Sequence, residues 1–144
     1  MKFFEEIILG EKVEFEVDIS KEIHEKFSEL SGDFSKMHTD DEFSKSKGFK
    51  KKIGYAFLLN SFLSRLYGEH LPGGSSICLK QESKFMNPFY EGDKLRIVGE
   101  VISKSESTKV VEINSEIFNQ DNQKIFEGNG WVKIIVEKGE GDKI

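Results

Sequence analysis

Asp33 and His38 stand five residues apart in the stretch Ser31-Gly32-Asp33-Phe34-Ser35-Lys36-Met37-His38-Thr39-Asp40. A carboxylate and an imidazole on one loop can both reach a single water or a single substrate proton, which is the requirement of general acid/base chemistry. The same spacing also fits a plainer arrangement, with Asp33 closing an Asx-turn after a helix and His38 an ordinary loop residue. His24 and His70 lie on or beside helices with no acidic or nucleophilic cluster near them, and both read as surface residues.

The elements that must hold such a loop are legible from periodicity. Val13, Phe15 and Val17 alternate with Glu14, Glu16 and Asp18, the pattern of a strand with one wet face. Ser20 then caps a helix whose Ile23, Phe27 and Leu30 fall on one side. Over residues 31–52 the apolar pattern thins into a long loop, broken by one helical turn near Asp40 that carries Phe43. Residues 55–68 form a helix of another kind, with Ala56, Phe57, Leu58, Leu59, Phe62, Leu63 and Leu66 covering more than one stripe. A helix apolar on most sides is buried on most sides. After Pro72, Gly73 and Gly74 the remaining segments read as strands, at 76–86, 94–103, 109–119 and 124–137, separated by turn residues. One buried helix followed by adjacent strands predicts an α+β domain, an antiparallel sheet curled around a central helix, which is the hot-dog layout.

With 144 residues the chain suits one domain, spanning 1–144 with a charged, fraying end over about 138–144. At 37% hydrophobic and 33% charged, it carries too much core material for disorder and too much charge for a membrane protein. A formal charge of -5 argues against general nucleic-acid binding. Cys78 is the single cysteine, which excludes an intrachain disulfide framework or a multi-cysteine metal site and points to a reducing compartment, the cytoplasm. Residues 1–10 place Glu5 and Glu6 within their apolar stretch, unlike the core of a signal peptide.

The combination of Ser31-Gly32-Asp33 with His38 and Asp40, then Phe49, Ile53 and the helix ending Ser61-Phe62-Leu63-Ser64-Arg65-Leu66-Tyr67-Gly68, resembles the MaoC-like (R)-specific enoyl-CoA hydratases. Leu71-Pro72-Gly73, Pro88 and Gly92-Asp93-Lys94-Leu95 match in order and spacing, so the resemblance runs from about Phe27 to Val101. It implies a homodimer that hydrates trans-2-enoyl thioesters to (R)-3-hydroxyacyl thioesters, or dehydrates them, with no metal or redox cofactor and coenzyme A carried only as part of the substrate. Asp33 and His38 would hold the attacking water, and Ser64 would be the hydrogen-bonding serine of the catalytic set. The backbone N–H of Ala56, at the first turn of the buried helix, would meet the thioester carbonyl.

This chain departs from the family pattern at two places. Ser35-Lys36 replaces an Asn-Pro pair, removing an amide that ties the loop and a ring that stiffens it. Tyr55-Ala56-Phe57 replaces His-Gly-Met, so Tyr55 and Phe57 add bulk at the substrate pocket. Lys52, with Lys47, Lys50 and Lys51, offers positive charge to coenzyme A phosphates or to an acyl carrier protein, or is a solvated loop. Two other readings stand beside the main one: a dehydratase of carrier-protein thioesters, and a non-catalytic acyl-thioester-binding subunit motivated by the altered positions.

Overall fold

The computed structural model describes residues 3–135; the end over 138–144 expected to fray lies outside them. Strand β1 (Lys12–Asp18) turns Phe15 and Val17 inward and its acidic residues out. Helix α1 (Lys21–Ser31) starts where the Ser20 side chain accepts the Ile23 N–H at 3.1 Å, and ends at Gly32, whose φ of 75° is a left-handed geometry that glycine takes without strain. Residues 31–52 contain the helical turn expected near Asp40 and a second one that was not expected. They hold two short helices, α2 (Lys36–Thr39) and α3 (Asp41–Ser46), the second capped by Asp40. Four residues are too few to show periodicity, so α2 leaves no sequence trace and His38 sits on a helix rather than a loop.

Helix α4 (Ala56–Arg65) continues as a π-helical turn over Leu66–His70. At 10 residues it is too short to persist alone in water. Its stability comes from Leu58, Leu59, Leu63 and the following Leu66, all buried, each worth about 1.5–3 kcal/mol relative to exposure. The strands β2 (Ser76–Phe85), β3 (Lys94–Ser105), β4 (Val110–Phe118) and β5 (Lys124–Ile134) join β1 in one antiparallel sheet of order β1-β3-β4-β5-β2. Two glycines let the helical segment approach that sheet. A Cβ on Gly99 would come 2.9 Å from the Leu66 methyls, and one on Gly130 would overlap the Tyr67 hydroxyl. The hot-dog arrangement is therefore present, with β2 as an edge strand paired only to β5.

Candidate active site

Asp33 and His38 meet. The Asp33 Oδ2 and His38 Nε2 atoms are 3.8 Å apart, too far for a direct hydrogen bond but a span that one water reaches from both sides. The His38 Nδ1 lies 2.9 Å from the Ile53 carbonyl oxygen, and a carbonyl only accepts, so Nδ1 carries the proton. In the neutral ring Nε2 is then a bare lone pair facing the carboxylate. Ile53 anchors α2 through its own N–H as well, which donates to the Met37 carbonyl at 2.9 Å.

The Asp33 carboxylate faces solvent on one side and an amide on the other. The side chain is 45% exposed, and the backbone N–H of Ser35, donating at 3.0 Å, holds the carboxyl below its ordinary value. The cause is loop geometry: the Asx-turn considered for Asp33 forms, and it presents a donor to the charged form.

The pair opens on a cavity of about 440 Å³ lined in addition by Phe27, Ser31, Ile53, Gly54, Tyr55, Ala56 and Phe57. Ala56 is the first residue of α4, and no acceptor among the described residues takes its N–H. It is an unsatisfied donor at the positive end of a helix, lining the same cavity as Asp33 and His38. Ile53, Gly54 and Ala56 also form the common wall with a second, largely apolar cavity of about 260 Å³, bounded by Phe49, Leu59, Phe85, Met86 and Phe89. A site so built can polarise a carbonyl, shuttle a proton through one water, and house an alkyl chain beside the reacting carbon.

The other expected residues divide. Phe57 is 69% exposed and lines the cavity, its ring nearly perpendicular to that of Phe85. Tyr55 is buried, with its hydroxyl already bonded to the Asp33 carbonyl at 2.6 Å, so it is wall and support rather than a free substrate contact. The Lys52 ammonium is 3.6 Å from the Glu91 carboxylate, and its backbone N–H donates to Asp41, so its charge is partnered within the chain. Lys51 reaches the Glu91 carbonyl, while Lys47 and Lys50 lie over the Phe43 and Tyr90 rings. Ser64 is exposed on α4 and is not brought to Asp33 or His38 within one chain. Among the described residues no three His, Cys, Asp or Glu side chains cluster to hold a metal.

Two readings of the histidines need correction. His24 is buried, 2% exposed, because α1 turns its polar His24 and Ser28 toward the segment that carries Asp33 and His38. Leu30, expected on the core side of that helix, is 85% exposed. His70 is half-buried and stacks on Phe15 at 4.7 Å. The i, i+4 spacing of His24 and Ser28 is the sequence signal of that buried face, while Ile23 and Phe27 of the adjoining apolar stripe pack partly buried against the core as expected.

Residues 5–120 match the family model described as a MaoC like domain. The chain is 33% identical over 108 residues to the (R)-specific enoyl-CoA hydratase of Aeromonas caviae, a match covering 75% of this chain and 81% of that protein. Among solved structures, the (R)-hydratase from A. caviae involved in PHA biosynthesis superimposes with a TM-score of 0.86 at 29% identity, covering 90% of this chain and 98% of that one. The unliganded R-hydratase PhaJ1 from Pseudomonas aeruginosa gives 0.84 at 27% identity, covering 98% and 94%.

Proposed function

Because this chain belongs to the MaoC-like domain family, we propose that it is a hydro-lyase, adding water to trans-2-enoyl-CoA to give the (R)-3-hydroxyacyl-CoA and catalysing the reverse dehydration. The observation that carries the reading is the convergence on one cavity of Asp33, His38 and the free Ala56 N–H, beside an apolar chamber suited to an acyl chain.

The thioester oxygen accepts the Ala56 N–H, which draws the C2=C3 π electrons toward the carbonyl as water approaches carbon 3. Asp33, held below its ordinary value, is a weak base. It orients the water, and the bare Nε2 of His38 takes the proton as the O–C3 bond forms. The imidazolium then returns that proton to carbon 2 as the carbonyl reforms, on the face from which water came. No atom is left over and no cofactor enters. Asp33→Asn is expected to lower kcat on crotonyl-CoA by about 10²–10⁴ while folding and thioester affinity stay near wild type. His38→Ala behaves likewise, and the double variant is little worse than either because the two act on one water. Wild-type turnover by Asp33→Asn refutes the assignment.

A homodimer completes the proposal. Edge strand β2 and the outer side of α4 leave Phe57, Ile77, Leu79, Phe85 and Met86 exposed by 69, 51, 57, 39 and 40%, an apolar surface that a second copy covers. Ser64 shares the exposed side of α4 with Phe57 and Ser61, so a catalytic part for Ser64 exists only across that interface. Light scattering at micromolar concentration that gives a mass of 16.5 kDa contradicts the dimer. Among the described residues no helix is long and apolar enough to cross a membrane, and the lone Cys78 supports a reducing compartment, the cytoplasm.

A further inference from the structure

No proline lies between Gly32 and Tyr55, so nothing in the covalent chain stiffens the segment that carries Asp33 and His38. Besides the Ile53 contacts already described, the backbone carbonyls of Asp33 and His38 are each held by a buried side chain. Tyr55 donates its hydroxyl proton to the Asp33 carbonyl at 2.6 Å. Ser28 Oγ lies 2.7 Å from the Tyr55 oxygen and 3.1 Å from the His24 carbonyl oxygen, so its one proton is shared between these two acceptors. His24 Nε2 lies 2.8 Å from the His38 carbonyl oxygen and must likewise carry its proton. His24 and Ser28 occupy successive turns of α1 and are 2% and 5% exposed. The Tyr55 ring stacks on the His38 imidazole, centroids 4.0 Å apart and planes 23° from parallel, and touches the His24 ring at 4.9 Å.

We propose that Tyr55 and His24 are positioning residues for the proton-transfer pair, clamping the backbone at Asp33 and at His38 so that the carboxylate and Nε2 keep the spacing one water needs. The inference rests on the hydration reading and adds to it two side chains that touch no substrate through their polar atoms. Tyr55 has a further consequence by its place in the chain. It immediately precedes Ala56, so one residue fixes the acid/base pair by its side chain and the carbonyl donor by its backbone. Buried hydrogen-bonded networks of this kind trade little freedom for a defined geometry, and a misplacement of about 1 Å in such a site is enough to cost about 10²-fold in rate.

The test compares Tyr55→Phe, which removes only the hydroxyl, with His24→Leu and His24→Gln, on crotonyl-CoA. Loss of either side-chain tether is expected to lower kcat about tenfold in Tyr55→Phe and His24→Leu with KM within about threefold, and His24→Gln, which keeps an N–H donor, to recover most of the loss. In an Asp33→Asn background Tyr55→Phe adds less than about twofold, because the pair it positions is already broken; a merely structural role would multiply the two losses. Amide hydrogen exchange over residues 33–40 quickens in both tether variants, a readout independent of turnover. Should Tyr55→Phe fail to fold, Ser28→Ala replaces it, with an expected loss of about threefold. Unchanged kcat in the folded tether variants, or multiplied losses in the double variant, overturns the positioning role while leaving the hydratase reading intact. Full activity in Asp33→Asn removes both.

Discussion

Replacing Ala56 by proline deletes one N–H and leaves nearly everything else in place. Tyr55, the residue before it, has φ of -79° and ψ of 121°, already the extended geometry that a following proline demands. Position 56 opens α4, where the missing N–H breaks no helical hydrogen bond and the fixed φ of proline is preorganised. Folding is thus expected to be neutral, or better by about 0.4–1 kcal/mol. The loss in catalysis follows from what the N–H does. Removing one donor from a site that stabilises a developing oxyanion costs about 2.7–4 kcal/mol, or about 10²–10³ in kcat. The smaller figure applies here, because the Phe57 N–H remains at the same helix end, whereas the Leu58 N–H is committed to the Tyr55 carbonyl at 3.1 Å. The assay is loss of the conjugated enoyl-thioester absorbance with crotonyl-CoA, beside a melting curve and the Kd of a saturated acyl-CoA. Kd separates loss of transition-state stabilisation from crowding by the proline ring. Ala56→Gly keeps the N–H and stays within several-fold of wild type. A proline variant that folds, binds the saturated thioester and turns over at the wild-type rate refutes the argument.

Lys36→Pro places a proline at the first position of α2, after Ser35 with ψ of 150°, so it is expected to raise stability by about 0.4–1 kcal/mol and leave kcat within about twofold, read from Tm and turnover. The Asp33 carboxyl, followed by NMR, titrates below the ordinary value of about 3.9, and Ser35→Pro, which removes the N–H donor, moves it upward. Since the folded value is depressed, the associated stability is present above the unfolded value and is lost as pH falls through the folded one; an Asp33 midpoint above about 4.5 contradicts the hydrogen-bond account. Gly130→Ala drives a methyl group into the Tyr67 hydroxyl and is expected to destabilise the fold by about 1–3 kcal/mol, with a Tm drop that Tyr67→Phe partly relieves.

What the sequence exposes here are features set by local periodicity. The apolar surround of Leu58, Leu59, Leu63 and Leu66 announces a central helix, and the alternation in β1 announces which face is wet. Asp33 and His38 are legible because both partners lie within one short segment. The rest depends on contacts distant in sequence. The His24 and Ser28 face of α1 is buried because Tyr55, 27 residues beyond Ser28, offers it a hydroxyl. Lys52 is diverted from any substrate by Glu91, far along the chain. The direction of the Asp33 shift depends on whether an amide or an alkyl chain faces the carboxylate, and only the turn through Ser35 decides that. Residue type announced that these groups could do chemistry; fold geometry decided which of them stand together.

The most direct measurement of the central claim is the chirality of the product formed from crotonyl-CoA by the wild-type chain, with Asp33→Asn as the control. Asp33 and His38 stand 3.8 Å apart on the same cavity, and the proposed (R)-specific hydration requires them to deliver water to a single face of carbon 3. The account predicts (R)-3-hydroxybutyryl-CoA from the wild type and a rate about 10²–10⁴ lower from Asp33→Asn. Formation of the (S) product, release of free thiol, or tight thioester binding without turnover contradicts it.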